Sequence, residues 1–216
     1  MTIQMYGFWR SIASFRVRTA LRLKGLDFEE IPVDILSGKQ FEPAYGAINA
    51  GHSLPTLLHD GNVLFQSLPI IQYLDEVHPE PALLPADPAG RAYARALALV
   101  TVADAHPLTV PRVRKYLGQA FNADTDAVHD WAMHWIAEGF KTYERLLSQR
   151  PPSPFAAGST PGLADICIAG HMASADLFEF DVSAFPATAS LARRCFAMPT
   201  FALSHPFAQP GAPKQV

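Results

Sequence analysis

The chain has 216 residues, with 17 Lys+Arg against 20 Asp+Glu and a formal net charge of −3, so it has no broad electrostatic attraction to nucleic acid or to an anionic membrane. Apolar residues make up 49% and charged residues 17%, against roughly 25% charged in an average domain, which excludes a disordered or supercharged chain and leaves one large or two small folded domains. Two cysteines far apart, Cys167 and Cys195, with no CxxC pair and no His/Cys cluster at ligand spacing, exclude a disulfide scaffold, a zinc module and a dithiol redox motif; no metal is expected.

Met1 to Tyr6 lacks the basic start and apolar core of a signal peptide, and no run approaches the roughly 20 apolar residues that span a bilayer. A soluble, cytoplasmic protein is the expectation. Residues 3–8 read as a strand, and 14–24 as a helix with Val17, Ala20 and Leu21 on one face and a stop at Gly25. Residues 28–33 form a second strand and 40–48 a weak helical turn. Residues 54–58 and 63–65 then make a hairpin through Asp60-Gly61, a preferred tight-turn dipeptide. A helix over 67–77 completes βαβ(α)ββα.

Pro79, Pro81, Pro85 and Pro88 fall within ten residues, which neither a helix interior nor a central strand can hold, because each lacks a backbone N–H. A linker is predicted there. After it the period is 3.6 throughout, with helices over about 89–117, 123–149, 163–178 and 188–198, the first disturbed at Pro107 and Pro111. Residues 151–161 read as a loop, and the tail holding Pro206, Pro210 and Pro213 as an extended segment laid over the surface. The fold class is therefore α+β in two domains: a mixed domain over 1–80, a linker over 81–90 and an all-α domain over 91–216.

Ser11 sits between the first strand and the first helix, where bare N–H groups and the helix dipole favour an anion such as a thiolate. On chemistry alone, capping the helix is the commoner role for a serine there. Leu54-Pro55 opens a strand, and a cis bond would leave the preceding N–H and C=O free for an extended peptide ligand, although most X-Pro bonds are trans. Gln66-Ser67 opens the next helix and offers an amide, a hydroxyl and bare N–H groups to a carboxylate, or an ordinary N-cap. Arg outnumbers Lys 12 to 5. Solvated faces account for most of Arg10, Arg16, Arg18, Arg22, Arg112 and Arg114, with Arg10 and Arg112, beside a turn and a proline, expected to bind planar carboxylates. His106, before Pro107, is a candidate donor or base, although a structural histidine is the commoner case. Cys167 and Cys195 are expected to be buried and inert.

Taken together, the βαβ(α)ββα unit, the proline at the third strand, Gln-Ser at a helix start and the helical second half resemble a glutathione transferase from end to end. Blocks in order sharpen this to the zeta class and its maleylpyruvate and maleylacetoacetate isomerases. They are Phe8-Trp9-Arg10-Ser11, Arg16-Val17-Arg18-Thr19-Ala20-Leu21, Lys24-Gly25, Gln66-Ser67-Leu68, Leu83-Leu84-Pro85-Ala86-Asp87, Asp104-Ala105-His106-Pro107 and Ser204-His205-Pro206 with Gln209-Pro210. The resemblance implies a thioredoxin-like domain that binds glutathione as cofactor. Ser11 would face the sulfur, Leu54 would pair its backbone with the cysteinyl unit beside a cis Pro55, Gln66 and Ser67 would hold the γ-glutamyl carboxylate, and His52 would reach the glycyl end.

It implies further that the thiolate adds to a cis double bond of a diacid, allows rotation and leaves, so that glutathione is recycled. Arg10, also catalytic, would grip the small electrophilic substrate with Arg112 and His106. The protein would be a homodimer serving aromatic catabolism. Three departures bear on substrate choice. Ser11-Ile12-Ala13 stands where the class commonly has Ser-Ser-Cys, Asp176-Leu177-Phe178 lacks the arginine that such relatives carry before the phenylalanine, and Val110-Pro111 replaces polar and basic residues. Gly162 also replaces the usual Ser or Thr of a helix-start capping box, a change folding should survive. Glutathione conjugation or dehalogenation of a less anionic electrophile, and a non-catalytic glutathione or ligand carrier, are the alternative functions.

Overall fold

The computed structural model describes residues 3–213; Met1 and Thr2 of the segment read for a targeting signal, and the last three residues of the tail, lie outside them. The chain divides into two compact units, one running to Ala82 and including the segment from Met198 onward, the other spanning Leu83–Ala197.

In the first unit, β1 (Ile3–Gly7), β2 (Phe28–Pro32), β3 (Thr56–His59) and β4 (Asn62–Phe65) form a sheet in the order β2-β1-β3-β4. β2 runs parallel to β1, while β3 is antiparallel to β1 and β4 to β3. Helices α1 (Ile12–Leu23), α2 (Pro43–Gly46) and α3 (Ser67–Val77) complete the predicted βαβ(α)ββα order. β1 alternates burial residue by residue, the period-2 signature that made it legible. Asp60 and Gly61 both take positive φ, 49° and 79°, as a two-residue hairpin turn matched to strand twist requires. Met5, Phe15, Val17, Leu21, Leu57, Ile70, Ile71 and Leu74 form the apolar interior.

The arginines of α1 depart from expectation. Arg16 and Arg18 are 1% and 0% exposed, not on a solvated face. Arg16 Nη1 donates to Ser67 Oγ at 3.2 Å. Arg18 forks onto both carboxylate oxygens of Glu30 and also donates to the Ser204 and Phe8 carbonyls. Glu30 has room to do this because Gly7 has no Cβ: one there would collide with its Oε1. The tail, expected as an extended surface segment within the helical domain, instead folds into the short helix α10 (Pro199–Ala202) against α1 and a 3₁₀ turn over Pro206–Ala208, with Phe201 and Ser204 fully buried. Lys24, buried beyond the end of α1, pairs with Asp75 and donates to the Pro81 carbonyl, which ties the proline-rich segment to the unit.

The second unit holds α4 (Pro88–Leu99), α5 (His106–Thr109), α6 (Pro111–Phe121), α7 (Thr125–Ser148), α8 (Leu163–Phe178) and α9 (Pro186–Phe196). One helix disturbed at two prolines was expected over 89–117; three helices are found, separated by a π-helical turn over Val100–Ala105 and by Val110. Pro107 cannot donate to the turn before it, and Pro111 takes the first position of α6 with Val110 extended at φ −70°, ψ 154°. That is where a proline starts a helix at no cost and forces the preceding residue out of helical geometry. α8 is buried without a break from Leu163 to Ala175, so it forms the centre of the unit rather than an amphipathic wall. Cys167 and Cys195 are both buried and form no disulfide, and burial pushes the Cys195 thiol well up.

Gly162, a departure in sequence, is what the backbone demands: a Cβ there would collide with the Leu83 carbonyl oxygen. The cap is supplied by Asp165, whose carboxylate accepts from Gly162 N at 3.0 Å and Ala156 N at 2.8 Å. Burial outweighs those two bonds and raises Asp165 to about 6. Its unfolded value lies near 3.8, so between these limits the unfolded chain releases the proton and the folded chain keeps it. The group's contribution to stability is therefore complete below pH ~4 and falls as pH rises to about 6, by about 3 kcal/mol. Asp165→Asn cannot titrate. In denaturant titrations from pH 4 to 7, the stability of wild type minus that of Asp165→Asn should fall by that order as pH rises; a constant difference would contradict the assignment.

Candidate active site

The register of the sheet brings the predicted residues of the first unit together. Tyr6 of β1 is opposite Thr56 of β3, which is opposite Phe65 of β4. The chain leaving β1, the chain entering β3 and the chain leaving β4 therefore meet at one end of the sheet, and these are the loops that carry Arg10-Ser11, Leu54-Pro55 and Gln66-Ser67. Residues separated by more than fifty positions share one rim because β3 reverses direction against β1.

Ser11 is the N-cap of α1, and its Oγ accepts from Ser14 N at 3.1 Å. Capping uses a lone pair of the hydroxyl, so the hydrogen is still available to donate; the two roles considered for Ser11 are compatible in one atom. Among the described residues the N–H groups of Ile12 and Ala13 have no acceptor, so three donors and the positive end of the helix dipole converge beside Ser11. Arg10 is half-buried next to it, with no hydrogen bond or ion pair among the described residues. Trp9 packs on Phe8 and, at 6.4 Å between centroids, on Phe207 of the tail.

The Leu54–Pro55 bond is cis. Among the described residues neither the N–H nor the C=O of Leu54 is hydrogen-bonded. At the start of α3, Gln66 is exposed with φ 69°, ψ 126°, a conformation that costs a side-chain-bearing residue about 1–3 kcal/mol and clusters at functional sites. The N–H groups of Ser67 and Leu68 have no acceptor among the described residues. Pro69 removes the next donor. Ser67 Oγ accepts from the buried Arg16 and retains its hydrogen, so a positive charge lies directly behind an open helix N-terminus. His52 is exposed at φ 47°. Its Nδ1 lies 2.8 Å from the Gln40 carbonyl, which can only accept, so Nδ1 carries the proton and fixes the ring.

These groups fit an extended, acidic peptide: an unpaired backbone edge at Leu54, carboxylate donors at the α3 terminus, and thiolate donors at the α1 terminus. The two remaining predicted residues belong to the second unit. His106 opens α5 immediately after the π-helical turn, and Arg112, exposed, is the second residue of α6. Sequence reasoning missed Arg16 as the charge behind Ser67, and the placement of Arg114 over the Phe178 ring at 5.2 Å. Arg114, Val128, His129 and Phe178 line a cavity of about 310 Å³ in the second unit. Among the described residues, no group of three or more His, Cys, Asp or Glu is placed to hold a metal, and no helix is long and apolar enough to cross a membrane.

The family profile described as glutathione S-transferase, N-terminal domain, matches residues 1–76. A maleylpyruvate isomerase from Ralstonia sp is 38% identical over 209 residues, covering 96% of this chain and 99% of its own. Among solved structures, a holo maleylpyruvate isomerase described as a bacterial zeta-class glutathione S-transferase superposes with a TM-score of 0.94 at 37% identity, over 97% of this chain and 100% of that one. The maleylacetoacetate isomerase of Methylobacterium extorquens AM1, solved with malonate and glutathione bound, gives 0.95 at 38% identity over 98% and 100%. With that agreement over nearly its whole length, and the thioredoxin-like unit followed by a helical one, the chain belongs to the glutathione S-transferase family, in the zeta class with the maleylpyruvate and maleylacetoacetate isomerases.

Proposed function

We propose that this protein is a glutathione-dependent cis–trans isomerase of maleylpyruvate- or maleylacetoacetate-type diacids. The observation that carries the reading is the set of unused hydrogen-bonding groups at one end of the sheet: the Ser11 hydroxyl hydrogen, the Leu54 peptide groups and the bare N–H groups of α3. Relatives of the same length supply the reaction, and the neighbour with a three-carbon diacid and glutathione bound supports the substrate class.

Bound glutathione supplies a thiolate that adds reversibly to the double bond and so frees rotation about it. The residues of this chain do the rest. Ser11 Oγ–H and the first N–H groups of α1 stabilise the sulfur anion. Lowering a thiol from its usual ~8.5 by two units, about 2.7 kcal/mol, makes the thiolate dominant at neutral pH. Leu54 pairs with the cysteinyl unit as an added strand would, Gln66 and Ser67 hold the γ-glutamyl carboxylate with Arg16 behind them, and His52 reaches the glycyl end. Arg10 takes a substrate carboxylate, and the family pattern assigns Arg112 and His106 to the substrate as well.

A test follows the absorbance of maleylpyruvate and of maleylacetoacetate with purified protein, with and without glutathione. Rapid loss that requires glutathione is expected. No loss, in protein that binds glutathione, would reject the isomerase and leave conjugation, dehalogenation or a carrier role, for which the leucine at 177 is the motive.

The assembly proposed is a homodimer in the cytoplasm. β4 is an edge strand that leaves Val63 and Phe65 43% and 56% exposed, an open apolar edge that isolated chains seldom leave uncovered. Light scattering should give twice the chain mass for wild type and the single chain mass for Phe65→Asp; a monomeric wild type would reject the dimer.

A further inference from the structure

Leu54 has no polar side-chain atom, so what it contributes to a ligand depends on the direction of its own N–H and C=O. Those directions are set by the residues on either side of the Leu54–Pro55 unit, and the same two side chains grip both. Tyr45 Oη lies 2.6 Å from the Ser53 carbonyl oxygen and 2.8 Å from Thr56 Oγ1. Asn49 Nδ2 lies 3.1 Å from that carbonyl and 2.8 Å from that hydroxyl.

Counting hydrogens leaves one assignment. The carbonyl of Ser53 can only accept, so it takes the single hydrogen of Tyr45 and one amide hydrogen of Asn49. The other amide hydrogen goes to Thr56 Oγ1, whose own hydrogen then goes to Tyr45 Oη. Asn49 Oδ1 is left to accept, and it does so from Gly51 N at 2.8 Å. Every polar hydrogen of the trio is used. Tyr45, Asn49 and Thr56 are all buried, where a complete network is stiff and a broken one is costly. Burial also raises the Tyr45 phenol, which keeps its hydrogen in place as a donor.

We infer that Asn49 and Tyr45 are positioning residues for glutathione: they hold Ser53 and Thr56 so that the free N–H and C=O of the intervening Leu54 stay aligned for the cysteinyl unit. The inference rests on glutathione being the ligand of this site. It assigns a function to two buried side chains that touch no reacting atom, and it makes the segment from Tyr45 to Thr56 a prebuilt edge rather than a loop that orders on binding.

The test compares wild type with Tyr45→Phe, Asn49→Ala, Thr56→Val and the conservative Thr56→Ser. Glutathione affinity is read by calorimetry, and KM for glutathione and kcat by the isomerisation assay. Tyr45→Phe, Asn49→Ala and Thr56→Val should raise both Kd and KM by about tenfold, with kcat at saturating glutathione within about twofold of wild type. Thr56→Ser should stay close to wild type. A purely structural role would lower the active fraction, so kcat would fall while Kd and KM stayed put, and that pattern overturns the inference. If Asn49→Ala does not fold, Tyr45→Phe decides, since it loses one hydroxyl and no volume; an unchanged Kd there overturns it as well. A wild-type protein that fails to bind glutathione overturns the functional reading, a failure distinct from variants that bind as tightly as wild type.

Discussion

Ser11→Ala is expected to lower turnover of the diacid by about 10²–10³-fold, the cost of removing one donor aimed at a reacting anion, while the dissociation constant for glutathione changes by less than about threefold. The hydroxyl is required to do its work on the sulfur, not on the rest of the tripeptide. Because Oγ also caps α1 through Ser14 N, the variant should lose about 1 kcal/mol of stability, or some 2–4 °C in Tm for a chain of this size. Ser11→Thr retains donor and cap and should recover most of both. Thiolate absorbance of the bound glutathione gives the cause directly: the thiol should titrate near its solution value in the alanine variant and well below it in wild type. Gln66→Ala should do the reverse, weakening binding and sparing kcat. Unchanged turnover in Ser11→Ala would remove the hydroxyl from the mechanism and leave the N–H groups of Ile12 and Ala13 as the sole activators.

Much of the fold was readable because local rules and tertiary structure agree. Asp60-Gly61 can form only a tight turn between two apolar runs, and it does. The helix read over 163–178 is found over Leu163–Phe178, since a long apolar helical run bounded by a glycine and a polar stretch has no competing conformation. The helix read over 89–117 failed for a reason of the same kind. A proline within a helical period reads as a fault inside a helix, whereas Pro111 begins one, with Val110 extended before it. Pattern alone does not distinguish a kink from a new start, because the 3.6 period continues across both. The tail differs for another reason: Pro206, Pro210 and Pro213 suggest an extended segment, but Pro206 stands at the first position of a short helical turn.

The candidate site was legible where chemistry lies at element junctions. Ser11, Leu54, Pro55, Gln66 and Ser67 each occupy a boundary that the hydrophobic pattern located, and the order β2-β1-β3-β4 then brings those boundaries to one rim; residue chemistry alone favours a helix cap, a trans bond and an ordinary N-cap there, and only the family resemblance assigns them to a ligand. What could not be read was the environment of a charge. Arg16 and Arg18 looked like the polar face of α1, because nothing in a twelve-residue helix announces acceptors brought from elsewhere. The partners of Arg18 are Glu30, 12 residues on, and the Ser204 carbonyl, 186 residues on. A hint was available in the burial of their neighbours, since Phe15, Val17, Ala20 and Leu21 leave little of α1 for solvent.

Arg18→Met is the change expected to cost most in stability. The guanidinium is fully buried, with Nε and Nη2 2.8 and 2.7 Å from the two Glu30 oxygens, Nη1 2.9 Å from the Ser204 carbonyl and Nη2 3.4 Å from the Phe8 carbonyl. Methionine can fill part of the volume but satisfies none of these four acceptors. Removing one partner of a buried ion pair costs about 3–5 kcal/mol, which corresponds to a Tm lower by some 6–20 °C. Glu30 keeps 23% of its side chain exposed, so its carboxylate can rehydrate in part, which favours the lower end of that range. The converse variant, Glu30→Gln, keeps one acceptor and both carbonyl bonds but leaves the fully buried guanidinium without its counter-charge and turns an amide N–H toward one of its donors, so it too should cost stability. Arg18→Lys should not rescue, since one ammonium cannot reproduce the fork. The Phe8 carbonyl leads into the loop carrying Arg10 and Ser11, and the Ser204 carbonyl holds the tail that packs on Trp9, so kcat should fall with stability in Arg18→Met even at temperatures where it stays folded. A variant within about 1 kcal/mol of wild type by denaturant titration would mean that water replaces the guanidinium, and that the arginine is held at this position by something other than the bonds it makes.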